Sequence, residues 1–258
     1  MSDYPLPNAS LDLSGQVALV TGATAGLGWR FARVLAAAGA NVAIAGRRVE
    51  KLEELRAVIQ ADGGVSFPIR IDMTDASSIK AGVEAVQQTL GTVTILVNNA
   101  GIPDAQRATR MSVELIDSVI DTNLRGPFIL ACEVARRLME SKLPGRVVNL
   151  SSAAAFHYAG DGAALYSTTK AAIIRMTEAL AVEWARAHIN VNAIAPGNFH
   201  SEMMDGLIKR LGEFSDKLPR KRICDPALLD STLLYLCSAA SEGITGTVIR
   251  ADDGQFPR

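Results

Sequence analysis

The sequence predicts an α/β fold, a single domain built on a doubly wound parallel sheet with helices on both faces. Three observations carry this. Short β-branched apolar runs alternate with longer amphipathic segments from one end of the chain to the other. No internal repeat, low-complexity stretch or interdomain linker interrupts the alternation. At 258 residues, 48% apolar and 21% charged, the composition suits one globular unit with a large core.

Taken in order, "VALVTG" reads as a first buried strand running into a helix over about residues 26–38. "NVAIAG" and "VEKLEELRAVIQA" form the next strand and helix, and "VSFPIRID" with "ASSIKAGVEAVQQTL" the third pair. "VTILVNNAG" leads into a long helical region with an expected break near Gly126 and Pro127, because proline lacks a backbone donor and crowds the preceding turn. "GRVVNLSS", a helix over about residues 163–187 and "INVNAIAPG" follow, and "PALLDSTLLYLCSAA" with "TVIRADD" closes the pattern. Six strands end in small or polar residues: Thr21-Gly22, Gly46-Arg47, Asp72, Asn98-Asn99, Ser151-Ser152 and Pro196-Gly197. In open parallel sheets the carboxyl ends of the strands line the ligand crevice, so these endings are expected to face one shared site.

Composition narrows the function classes. Lys plus Arg number 26 against 27 Asp plus Glu, a net charge of −1 with no long run of one sign, so nucleic-acid binding by bulk charge is not expected. Cys132, Cys224 and Cys237 are widely spaced and form no CxxC pattern, which reads as free or buried thiols in a reducing compartment with no metal site. The start, "MSDYPLPNASLDLSG", lacks the basic and apolar regions of a secretory signal. No apolar run reaches the ~18 residues of a membrane span. A cytoplasmic protein with no membrane partner is expected.

The first strand turns into the first helix through "TGATAGLG", with Gly22, Gly26 and Gly28. Glycines permit a tight turn and close ligand approach, while a helix N-terminus offers unpaired N–H groups and partial positive charge to a pyrophosphate. The spacing differs from GxGxxG, yet its place at the first strand-to-helix junction points to a Rossmann-like dinucleotide site. The second strand ends "AIAGRRVEKL". Gly46 stands where an acidic residue would hold the ribose 2'-hydroxyl of NAD, and Arg47 and Arg48 follow, suited to a 2'-phosphate through the planar guanidinium fork. NADP(H) is therefore preferred, with NAD(H) possible. The alternative is a pair of solvated arginines opening a helix, and the lack of a basic residue at Ala25 in the loop keeps it open.

The segment "SSAAAFHYAGDGAALYSTTK" holds two serines, a tyrosine and a lysine among alanines. On a helix, Tyr166 and Lys170 are one turn apart on one face. An ammonium there is expected to lower the phenol pKa by favouring the phenolate. An isolated YxxxK is weak evidence, since two such residues often share a helix by accident.

With "TGATAGLG", "NNAG", "NLSS", "YSTTK" and "APG" in this order, the chain resembles a short-chain dehydrogenase/reductase over nearly its whole length. That resemblance implies a single oxidoreductase domain over 1–258, with 1–12 as an N-terminal extension and about 198–225 as a substrate-side lid. It implies Tyr166 as catalytic acid/base, Lys170 as the group that lowers its pKa and bonds the nicotinamide ribose, and Ser152, rather than adjacent Ser151, as the donor to substrate oxygen. Asn123 in "DTNLRG" would hold a water relaying protons to Lys170. The same resemblance assigns Thr24 and Leu27 of the glycine turn to the cofactor. It sets Asp72 with Met73 at the adenine and Asn99, Ala100 and Gly101 at its ribose. Pro196 and Gly197 would border the nicotinamide, and Ser201 would replace a threonine bonding its carboxamide. Asn98 would brace the central strand, a slightly extended loop would separate Ser152 from Tyr166, and the subunits would form a homotetramer through the helices around residues 123–139 and 163–187 and through the C-terminal segment. Taken alone, without the resemblance, Asp72 reads first as an N-cap of the next helix.

The substrate end is less legible. Residues 102–104, 153–158 and "NFHSEMMDGLIKRLGEF" resemble pocket walls and lid. Met203, Met204 and Leu207 suit an apolar pocket or plain helix packing, and His157 suits substrate contact or a structural role. Family members that dock an acyl carrier protein use basic residues near the end of the Tyr-Lys helix. Here Ala187 and His188 stand there, which weakens a fatty-acid reading. A small-molecule ketone or secondary alcohol is the expected substrate; an NAD-dependent dehydrogenase of a sugar acid, polyol or steroid-like alcohol is the alternative. Outside the class stand a methyltransferase, which typically needs an acid where Gly46-Arg47 lies, and a non-catalytic nucleotide sensor, which would be expected to lose Tyr166 or Lys170.

Overall fold

The structure is a computed structural model and describes residues 6–158, 160 and 162–256. Strands β1 (Val17–Thr21), β2 (Asn41–Gly46), β3 (Val65–Arg70), β4 (Ile95–Asn98), β5 (Gly145–Leu150), β6 (Ile189–Pro196) and β7 (Val248–Ala251) form one parallel sheet. Their order is β3-β2-β1-β4-β5-β6-β7. The chain builds outward from β1 to β3, then returns to place β4 beside β1 and builds the other way. That reversal opens a crevice between the carboxyl ends of β1 and β4.

Side chains alternate across the sheet, and each set finds a helical layer. Ala18 and Val20, Val42 and Ile44, and Val148 and Leu150 face one core with α1 (Gly26–Ala37), α2 (Val49–Ala61) and α8 (Asp230–Cys237). Leu19, Ala43, Leu96 and Val147 face the other, covered by α3 (Ala76–Leu90), α5 (Gly126–Ser141) and α6 (Ala164–Trp184). Phe31, Ala32 and Leu35 of α1 are fully buried at helical spacing. Burying a side chain the size of Phe31 or Leu35 contributes ~1.5–3 kcal/mol. Two further helices are α4 (Val113–Ile120) and α7 (Glu202–Leu211), the latter at the site end.

The expected break near Gly126 and Pro127 is absent, a correction to the sequence reading. The backbone stays helical from α4 into α5 through one π-helical stretch, Asp121–Arg125, and Pro127 falls in the first turn of α5. A proline removes one donor and crowds the carbonyl four residues back, and the wider π turn accommodates both. The carbonyl four residues before Pro127 belongs to Asn123. No helix among the described residues is long and apolar enough to cross a membrane.

Candidate active site

A cavity of about 820 Å³ runs along the carboxyl ends of the strands, from the glycine turn to Tyr166 and α7. Of the residues singled out by sequence as catalytic or cofactor-binding, all but Gly28 and Asn123 reach its wall. Those two act from behind it.

At the glycine turn the site consists largely of missing atoms. Gly22 and Gly26 adopt φ of +66° and +53°, in the left-handed region that favours glycine. A Cβ on Gly28 would lie 2.3 Å from the Gly22 carbonyl oxygen, so only glycine lets α1 start this close to β1. Asn99 locks the turn from the neighbouring strand, donating from Nδ2 to the carbonyls of Thr21 (2.9 Å) and Gly22 (3.3 Å). The N-cap of α1 is Ala25, which offers no side-chain acceptor, so the first N–H groups of the helix have no capping side chain. This cradle and the positive helix end fit a dinucleotide pyrophosphate.

The two arginines after β2 differ. Arg48 donates to Thr24 Oγ1 (3.1 and 2.8 Å) and pairs with Glu202 at the start of α7 (3.1 Å). Arg47 is exposed and makes no hydrogen bond or ion pair among the described residues. A Cβ at position 46 would lie 2.7 Å from the Thr24 methyl, so a side chain there would require Thr24 to shift. Asp72 is not the N-cap of α3; Asp75 is, accepting from Ser77 N at 2.8 Å. Asp72 instead accepts from the amide and hydroxyl of Thr74 at 3.1 and 2.9 Å. Partial burial works to raise its pKa, but those bonds and the charges of Arg47 and Arg70 prevail and hold the carboxyl below its usual range. Met73 is buried beneath the same wall. Ser201 caps α7, accepting from Met204 N at 3.1 Å, and a Cβ on Gly26 would lie 3.0 Å from its own Cβ.

The catalytic end is built from buried side chains. Ser151 and Ser152 diverge after β5: the buried Ser151 hydroxyl donates to the Lys170 carbonyl at 2.8 Å, while Ser152 lies on the cavity wall with Tyr166, near enough for its hydroxyl to favour the phenolate. Lys170 is 4% exposed; its Nζ donates to the Leu150 carbonyl at 2.7 Å and lies 5.6 Å from the centre of the Tyr166 ring. Burial pushes the lysine down to about 8. The expected lowering of the Tyr166 pKa by Lys170 is corrected: burial raises it, the Ser152 hydroxyl opposes the rise, and the Asp104 charge adds to it. The ammonium is directed at Leu150 rather than at the phenol.

Asn123, 1% exposed in the π turn, clamps the loop after β4: it accepts from Ile102 N (2.8 Å) and donates to Ile102 O (2.9 Å). Asn98 braces β4 to β5, donating to Asn149 Oδ1 at 2.9 Å. Pro196 and Gly197 end β6, where a Cβ on Gly197 would meet Gln255 Oε1 at 2.5 Å. Of the loop between Ser152 and Tyr166, residues 159 and 161 lie outside the described residues.

Sequence reasoning missed Phe256, and it placed Glu202 and Asp104 in the lid and pocket wall without finding their contacts. Phe256 reaches the cavity from the C-terminal segment and packs its ring 5.8 Å from that of His157. Glu202 ties α7 to Arg48. Asp104 lines the cavity and accepts from the amides of Leu165 and Tyr166 at 2.9 and 3.1 Å. Only for Asp104 was there a local signal: Ala163, before the Tyr-Lys helix, cannot cap it.

A glycine cradle at the switch point of a parallel sheet, joined to a buried Ser-Tyr-Lys group, defines a nucleotide-binding oxidoreductase of the α/β class. The chain belongs to the short-chain dehydrogenase family, whose model matches residues 16–211. It is 34% identical over 248 residues to 3-oxoacyl-acyl-carrier-protein reductase FabG of Aquifex aeolicus, covering 95% of this chain and 99% of that one. A short-chain type dehydrogenase/reductase from Mycobacterium marinum superposes with a TM-score of 0.92 at 34% identity, covering 96% and 98% of the two chains. The gluconate 5-dehydrogenase of Burkholderia cenocepacia, solved in complex with NADP and tartrate, superposes with a TM-score of 0.89 at 30% identity, covering 96% and 97%.

Proposed function

We propose that this protein is an NADP(H)-preferring alcohol dehydrogenase or carbonyl reductase acting on a ketone or secondary alcohol. The observation that carries the reading is the Tyr166 phenol, one helical turn from buried Lys170 and sharing with Ser152 the cavity that holds the glycine cradle. The nicotinamide, when bound, supplies or accepts hydride at substrate carbon.

The residues of the chain handle the oxygen. In reduction, negative charge grows on the carbonyl oxygen, where Ser152 donates a hydrogen bond and Tyr166 delivers its proton. In oxidation the phenolate takes the proton back. Lys170, pushed down to about 8, loses and regains a proton close to neutral pH and so suits a relay from phenol to solvent. Asn123 fits the relay through its backbone: its i+4 neighbour is Pro127, which has no N–H, so that carbonyl makes no α-helical bond.

The NADP(H) preference is supported by Arg47, a guanidinium at the end of β2 without an ion-pair partner among the described residues, and by the lack of an acidic side chain at Gly46. Residues 198–225 form the substrate-side lid, with Met203, Met204 and Leu207 of α7 facing the cavity. These, with Phe256, favour a substrate with an apolar substituent. A homotetramer is supported by Phe128, Met139 and Val182, apolar side chains exposed on α5 and α6.

The test is Tyr166→Phe, assayed with NADPH against a panel of ketones turned over by the native enzyme. Loss of at least about a hundredfold in turnover, with the cofactor dissociation constant unchanged within about twofold, is expected. A fully active Phe variant would remove Tyr166 from the reaction.

A further inference from the structure

The catalytic helix begins without a cap of its own. α6 starts at Ala164 after Ala163, whose methyl group accepts no hydrogen bond. A helix start leaves N–H groups unpaired, and the N2 and N3 donors are those an N-cap side chain ordinarily satisfies. Here they belong to Leu165 and Tyr166, and both donate to one oxygen of Asp104, at 2.9 and 3.1 Å. Asp104 lies about sixty residues earlier in the chain, in the loop after β4. Its other oxygen accepts from Ala105 N at 2.9 Å, and the residue is 3% exposed.

We propose that Asp104 is a positioning residue, a cap supplied from a distant loop that sets the start of the Tyr166 helix and places a negative charge at the backbone amide of the catalytic tyrosine. The loop that carries it is held two residues earlier, where Asn123 clamps both backbone groups of Ile102. Gly101 lies between these fixtures and the lysine, since a Cβ there would stand 3.5 Å from both Asn123 Oδ1 and Lys170 Nζ. One short segment thus spans the cofactor wall and the proton donor, so displacement of either end is transmitted to the other.

The charge has a second consequence. The cavity that holds the phenol is lined by Lys170 from the same helix, Asp104 from the loop after β4, His157 and Tyr158 from the segment after β5, and Arg210 and Glu202 at α7 and its start, with Asp72 at the nucleotide end. Of the two acids at the Tyr166 helix and α7, Asp104 is the one that contacts residue 166. Its charge opposes formation of the phenolate, whereas the positive end of α6 favours it. Replacing the carboxylate by an amide keeps an acceptor for the two N–H groups and removes the charge.

The capping half is tested without any assay of turnover, by amide hydrogen exchange at Leu165 and Tyr166. Asp104→Ala is expected to speed exchange at both by about tenfold or more, and Asp104→Asn to restore protection to within about threefold of native. The charge half rests on the oxidoreductase reading and is tested by the pH profile of kcat/KM for alcohol oxidation. Asp104→Asn is expected to move the inflection to lower pH by up to about one unit, because phenolate then forms more readily. Unchanged exchange in Asp104→Ala would overturn the cap, and an unmoved inflection in Asp104→Asn would overturn the charge effect. An absence of any nicotinamide-dependent turnover in the native protein would strike the functional reading while leaving the exchange result to stand. If Asp104→Ala does not fold, loss of the fold in that variant with retention in Asp104→Asn counts for the cap, and loss in both counts against it.

Discussion

The two ends of the cavity are made of opposite materials. At the β1–β2 end, recognition is the work of backbone and of space: positive-φ glycines, an uncapped helix start and two exposed arginines. At the β5–α6 end it is the work of side chains withdrawn from water, with Lys170, Asn123, Thr169 and Asp104 all nearly fully buried. The nucleotide end therefore tolerates no added atoms, whereas the catalytic end carries a cost of desolvation.

Lys170→Met breaks that contrast most severely. Turnover is expected to fall by at least about a hundredfold. Stability should move the other way. Unfolded, the lysine holds its proton up to its ordinary value of 10.5; folded, it holds it only to about 8. Between these values the unfolded chain binds more protons, so stability rises with pH across that window, and below about 8 the buried ammonium is a full penalty. At pH 7 the Met variant is expected to unfold later, by about 1–3 kcal/mol less the loss of the bond to Leu150. The gain should vanish by about pH 10. Thermal melts at both pH values check this; a variant less stable than native at pH 7 would mean that the bond outweighs the desolvation.

Gly28→Ala tests the other end. Its methyl group meets the Gly22 carbonyl at 2.3 Å and Asn99 Nδ2 at 2.5 Å, neither of which can retreat without opening the glycine turn. A stability loss of about 1–3 kcal/mol is expected, with cofactor affinity reduced about tenfold or more, read by denaturant unfolding and nicotinamide fluorescence. An alanine variant with native affinity would show that the turn is not the cradle.

The contrast also explains what the sequence disclosed. "TGATAGLG" and "YSTTK" are local patterns, since turn geometry and helical spacing act over a few residues, and the strand-helix alternation that specifies the sheet is equally local. Contacts that join distant segments leave no such mark. Asp104 reaches Leu165 across 61 residues and Glu202 reaches Arg48 across 154; neither shows a pattern in its own neighbourhood, and the one hint for Asp104 stands at the far end of its contact, where Ala163 cannot cap α6. The expected helix break at Pro127 failed for a related reason: a π turn just before it absorbs the proline, and no propensity rule places such a turn. The direction of the Tyr166 pKa differs from the sequence expectation because charge spacing is visible in sequence while the burial that raises it is not.

The most direct measurement is a parallel titration of the native protein and Arg47→Ala with NADPH and NADH, following nicotinamide fluorescence to obtain four dissociation constants. The account predicts that the native protein binds NADPH more tightly than NADH. It further predicts that Arg47→Ala weakens NADPH by about tenfold and NADH by less than about twofold, the loss expected for one charge-assisted contact to phosphate. Equal weakening of both, or tighter binding of NADH, would contradict the role given to Arg47. Failure of the native protein to bind either nucleotide would contradict the account at its base.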